Sequence, residues 1–137
     1  MTRTASTTAI TLTTIAALHA VWGAGASFPF PDSAALADTV TGSGALPAPR
    51  ECFAVAGLML FAAGVVSEVL PIGPMARRIG SGGVAAVLGT RGVAGVLGRT
   101  GSLVPWTPSE RFNRLDRRLY GPLCLLLAGG AAMSARR

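Results

Sequence analysis

The chain has no lysine, one histidine and two cysteines, and only 13% of its 137 residues are charged. Each scarcity removes a class of protein. Soluble domains carry about 25% charged residues, so a soluble fold would leave most of this chain's apolar surface unburied. A lone histidine with no clustered carboxylates cannot complete a metal site. The two cysteines, Cys52 and Cys124, are far apart in sequence, and no CxxC supplies a reactive pair. No Ser-His-Asp set is discernible. No phosphate-cradling loop follows a predicted strand, and the one glycine-rich segment lacks the required lysine. Soluble-enzyme chemistry is not expected, and no cofactor or metal is assigned.

Half of the residues are hydrophobic, and the mean hydropathy is +0.53. The net charge of +6 comes from twelve cations, all arginine. These sit at segment ends instead of forming one basic face. That is the placement of snorkelling and topology-setting residues, and no nucleic-acid partner is expected. Arginine-only cations with abundant Ala and Gly point to a GC-rich bacterial genome, and so to a multi-pass protein of the bacterial plasma membrane with the lipid bilayer as its first partner.

The spacing of the charges carries the architecture. Thr4 to Pro31, Cys52 to Ser67 and Leu119 to Ala135 are uncharged, and Gly80 to Gly98 is interrupted only by Arg91. A hydrocarbon core of about 30 Å needs about 20 helical residues. The expected fold is therefore all-α, a single polytopic membrane domain over residues 1–137 with four transmembrane helices near 8–27, 50–70, 80–98 and 119–135. Pro29 and Pro31 stop the first span, and Pro71 and Pro74 close the second, with Arg77 and Arg78 in the loop that follows. Asp32 to Pro49 is too polar to span and reads as an ordered cap or a mobile loop. Arg3, the apolar stretch Ala9 to Val21 and the small residues Ala24 to Ser27 also match a secretory signal, whose cleavage would leave three spans.

In the third segment Gly80, Gly83, Gly89, Gly92, Gly95, Gly98 and Gly101 fall on a period of three. GVAAVLGTR from Gly83 is followed by its near copy GVAGVLGRT from Gly92. A period of three drifts by about 60° per step on an α-helix, so small residues wind around the cylinder. Gly89, Gly92, Gly95 and Gly98 are the expected packing positions, against neighbouring helices or a second copy of the chain. A tolerated duplication explains the same pattern. The Val and Leu residues from Val84 to Leu97 favour insertion by roughly 3 kcal/mol, and a central Arg91 opposes it by about as much. This helix is expected to insert only with its neighbours.

Before the fourth span, Thr107, Pro108 and Glu110 read as N-cap, first helical residue and capping-box acid. Phe112, Leu115 and Leu119 share a face among Arg111, Arg114, Arg117 and Arg118, as in an interfacial amphipathic helix, with Glu110 able to pair with Arg114. A bend is expected near Pro122. Trp22, Trp106, Phe112 and Tyr120 are assigned to the interface. Arginines on the two sides nearly balance, and cytoplasmic termini are favoured only by Arg3 beside the first helix.

Polar groups within a span are expensive, which makes His19, Glu68 and Arg91 the candidate intramembrane residues, with Glu68 the acidic candidate to pair with Arg91. A structural, hydrogen-bonded His19 competes with a ligand or relay role. Cys52 and Cys124 start spans from the same side and form a candidate thiol pair, as a disulfide or an electron-exchanging couple, unless they simply fill space.

The segments Leu18 to Trp22, Arg91 and Gly92, and above all RLDRRLYGPLCLLLAG, with Phe112, Asp116, Tyr120 and Cys124, resemble the domain-of-unknown-function 3995 family over nearly the whole chain. The resemblance implies a four-helix integral membrane protein and brings no activity, substrate or cofactor. The third span is richer in glycine than that pattern. The functional expectation is an integral membrane helical bundle that is not an enzyme, a scaffold or accessory subunit with a second copy or another membrane protein as partner. The alternatives are a membrane-embedded thiol or proton-relay oxidoreductase, or a small transporter or lipid-binding protein.

Overall fold

Residues 2–137 are described by a computed structural model, and they are all-helical, with no strand among the described residues. Helix α1 (Arg3–Gly23) is started by Thr2, whose hydroxyl accepts from the Ala5 amide. Thr7, Thr11, Thr13 and Thr14 return their hydroxyls to the carbonyl four residues back, at 2.8 to 3.0 Å. Their polar groups are thus satisfied inside the helix. The connection contains α2 (Ser33–Val40), N-capped by the Asp32 carboxylate. It is an ordered cap.

Helix α3 (Pro49–Val66) begins with proline at its first position, and the Glu51 carboxylate accepts from the Ala48 amide at 3.0 Å. It ends four residues earlier than the expected limit at Leu70, because Glu68 turns the chain at φ 65°. Helix α4 (Pro74–Val96) starts from Pro74 instead of Gly80. A proline at the first helical turn starts a helix as readily as one further on ends it, so Arg77 and Arg78 lie within α4 and not in a loop. After a 3₁₀ turn (Thr100–Ser102), α5 (Glu110–Leu115), a π-turn (Asp116–Tyr120) and α6 (Gly121–Ala135) run on without a break. Ser109 is the N-cap of α5 instead of Thr107, its hydroxyl accepting from the Phe112 amide at 3.2 Å. Arg111 faces Asp38 at 3.9 Å, where Glu110 had been expected to hold Arg114.

The four long helices alternate in direction and form two close pairs, α1 with α3 and α4 with α6, which meet each other more sparsely. Small side chains fill the interior. Ala9, Ala62, Ala63 and Ala128 surround Leu12, Leu88 and Leu127, and Ala5, Val66 and Ala131 close the end that carries the termini. Large apolar side chains point outward, including Ile10, Leu58, Phe61, Val87 and Leu126, each at least 60% exposed. Three helices, α1, α3 and α4, are long and apolar enough to cross a membrane.

The α4–α6 contact is made backbone to backbone. A Cβ on Gly121 would lie 2.8 Å from the Val96 nitrogen and 3.1 Å from the Gly92 oxygen, and one on Gly92 would lie 2.9 Å from the Gly121 oxygen. Gly95 meets the Gly121 Cα in the same way, and Gly89 touches Ala128. The glycines at these positions therefore serve a contact within the chain. Gly98 has a different task, ending α4 at φ 66°.

At the opposite end from the termini, α2 is clamped onto the α5–α6 segment. The last carbonyls of a helix have no intrahelical partner. Here the Ser109 hydroxyl donates to the Asp38 oxygen, Tyr120 Oη to Thr39, Trp106 Nε1 to Thr41 and the Ser109 amide to Gly42. Phe112, 3% exposed, sits in this cap beside Tyr120.

Candidate functional site

Arg91 points from α4 toward the start of the α6 segment, where a lone guanidinium requires a carboxylate. That carboxylate is Asp116. Arg91 Nη2 donates to Asp116 Oδ1 at 2.8 Å, Arg91 Nη1 donates to Thr100 Oγ1 at 3.3 Å, and the Thr100 hydroxyl donates to Asp116 Oδ2. The three side chains close a triangle. Asp116 is 1% exposed, and the Arg91 side chain retains 32%.

Local sequence explains how Asp116 arrives there. Pro122 has no N–H, and its ring would crowd the carbonyl four residues back in a regular helix. The turn before it widens, and the Gly121 amide donates to Asp116 oxygen five residues away. A π-turn inserts one residue and rotates what precedes it, a device common at functional sites. Gly98 supplies the other half, reversing the chain so that Thr100 returns over Arg91.

Glu68, the expected partner of Arg91, is exposed in the turn after α3, at the end with the termini. Asp116 stands in an arginine-rich run that reads as an interfacial helix, outside the apolar spans in which a partner for Arg91 is sought. Only the extra residue of the π-turn brings it inward. The signal available in the sequence was an acid six residues before a proline that opens an apolar helix.

Beside Arg91, between the two helix pairs, lies a pocket of about 470 Å³ to which α1, α3, α4 and α6 all contribute. Its floor is Leu88 and Leu127, and its polar lining is His19, Arg91, Tyr120 and Cys124. His19 Nδ1 lies 2.8 Å from the Ile15 carbonyl, which can only accept, so Nδ1 carries the proton and Nε2 of the neutral ring is an acceptor. Its ring lies 4.8 Å from that of Trp22, which donates Nε1–H to the Phe28 oxygen at 2.7 Å.

A family model described as a protein of unknown function, DUF3995, matches residues 12–131, a span that holds the whole triangle and the pocket from Ile15 to Leu127. The chain belongs to the DUF3995 family. No curated protein and no solved structure matches it.

The remaining candidates of this DUF3995 protein separate in space. Cys124 lines the pocket, whereas Cys52 is buried where α3 passes α1, its Cβ 3.2 Å from where a Gly23 Cβ would stand. Both thiols are free. Trp22 and Tyr120 belong to the pocket, and Trp106 and Phe112 to the cap. Among the described residues no group of three or more His, Cys, Asp or Glu side chains is placed to hold a metal.

Proposed function

We propose that this DUF3995 protein is an integral membrane four-helix bundle that acts without catalysis, as a scaffold or accessory subunit of the bacterial plasma membrane. The observation that carries the reading is the inverted distribution of size. Alanine is the commonest buried apolar residue, packed around Leu12, Val66, Leu88 and Leu127, while many further Leu, Val, Ile and Phe side chains cover the lateral faces of the long helices. In water that surface is a liability, and in lipid it is a solvent-matched exterior around close backbone packing. The threonine hydroxyls bonded back into α1 fit the same setting, because hydrocarbon offers no replacement partner. The Arg91–Asp116–Thr100 triangle supports a structural use of the charged residues, since the buried Asp116 carboxylate holds both Arg91 and Thr100.

The test is alkaline extraction of membranes followed by native mass spectrometry in mild detergent. Retention in the membrane pellet and a stoichiometric complex, with a second copy or another membrane protein, are the expected results. Release by alkali overturns the membrane assignment. A chain that stays solitary in detergent and in lipid nanodiscs overturns the accessory role.

A further inference from the structure

We infer that the pocket between the two helix pairs binds an uncharged lipophilic molecule whose head is a ring bearing a hydroxyl group, the chemistry of a phenol or a hydroquinone. This goes beyond an accessory role and does not depend on the partner sought above.

The volume of about 470 Å³ lies in the range of small-molecule sites, and most of the lining is apolar, as such sites are. The polar groups define the head. Arg91 has five N–H donors, and its contacts with Asp116 and Thr100 use two, on a side chain that keeps 32% of its surface. His19 Nε2 is left as an acceptor by the bond from Nδ1 to Ile15. Tyr120 Oη, donating to Thr39, keeps lone pairs of its own. A head that both accepts and donates satisfies all three, whereas a bare hydrocarbon would leave them desolvated and unpaired. Charge then discriminates further. Asp116 already balances Arg91, so an anionic head would add an uncompensated charge to the site, and a neutral one adds none.

The aromatic residues argue for a ring. The whole chain has two Trp, one Tyr and five Phe, and Trp22, Phe30 and Tyr120 all line this one pocket together with the His19 imidazole. Planar side chains favour offset or edge contacts with another ring.

The experiment uses the purified chain in detergent micelles and equilibrium dialysis with a decyl-substituted phenol, whose hydroxyl can both donate and accept. Decanoate and decylbenzene serve as comparison probes with the same tail and a charged or oxygen-free head. The expected result is one saturable phenol site per chain that neither comparison probe displaces at equal concentration. Binding should weaken at least tenfold in His19→Phe and be retained within about threefold in His19→Gln, which keeps an acceptor; circular dichroism and elution volume confirm that both variants fold. Unsaturable uptake equal to that of empty micelles overturns the proposal. So does displacement by decanoate as effective as by the phenol itself, which would mark an anion site, and so does equal binding of decylbenzene. These three arms use the unmodified protein, so they decide the matter even if a variant fails to fold.

Discussion

Arg91 and Asp116 show how one residue's cost is met by another on a different helix. A partly exposed cation and a buried carboxylate hold each other and a threonine, and removing one partner leaves the other charged and unpaired. Asp116→Asn is expected to destabilise the bundle by about 3 kcal/mol, read as thermal unfolding in detergent, with the Arg91→Met/Asp116→Asn double variant recovering more than half of that loss. Equal losses in the single and double variants would show that the pair is not coupled. Glu68→Gln is the contrasting substitution. Glu68 is exposed beyond α3, and the change should stay within about 0.5 kcal/mol of the parent.

Elements are joined here by two different physical means. Along α4 and α6 the means is close backbone approach, and Gly121→Ala would set a Cβ against Val96 and Asp116 backbone atoms at 2.8 and 2.9 Å. Backbone on both helices cannot yield as a flexible side chain would, so a loss of about 1 to 3 kcal/mol is expected. Gly83→Ala points the other way. It meets nothing within 4 Å, lies inside α4, and should stabilise by about 0.5 to 1 kcal/mol through the helix propensity of alanine. If both substitutions moved the unfolding temperature in the same direction, the α4–α6 packing described above would be wrong. At the capped end the means is hydrogen bonding to the carbonyls that close α2. Tyr120→Phe removes the bond to Thr39 and should cost about 1 kcal/mol, a roughly fivefold loss of hydrogen-exchange protection concentrated in the α2 amides.

At the scale of the molecule, the alternation of the long helices puts the α2 connection and the α3–α4 turn at opposite ends. Gly44 and Gly73 mark those two ends, and a side chain at either meets nothing within 4 Å. In a background with Cys52 and Cys124 replaced by alanine, Gly44→Cys and Gly73→Cys should react with an impermeant maleimide from opposite faces of sealed membranes. Labelling of both from one face would rule out the four-span arrangement. The same arrangement explains why the pocket sits where it does. Each helix pair is zipped by its own small residues, and the seam between pairs is filled only as far as Leu88 and Leu127.

The all-helical class, the number of long helices and a polar connection between the first two were legible in the chain, because helix length and charge spacing are local properties that the bilayer-scale argument reads directly; that this connection is an ordered cap was not. Helix limits at proline were less so. Pro74 starts a helix and Pro122 widens one, and which of these a proline does depends on whether its neighbours need the turn. Arg91, His19 and Glu68 stand out in the sequence as polarity inside apolar stretches and Cys124 by its position in the fourth span, although that Arg91, His19 and Cys124 line one pocket is not legible there. Asp116 and Thr100 were hidden, because each becomes a partner of Arg91 only through a change of chain direction, at the π-turn and at Gly98. A sequence states which groups are costly to bury. Which groups relieve that cost is a matter of where three separate segments meet, and that was decided by the packing of α4 against α6.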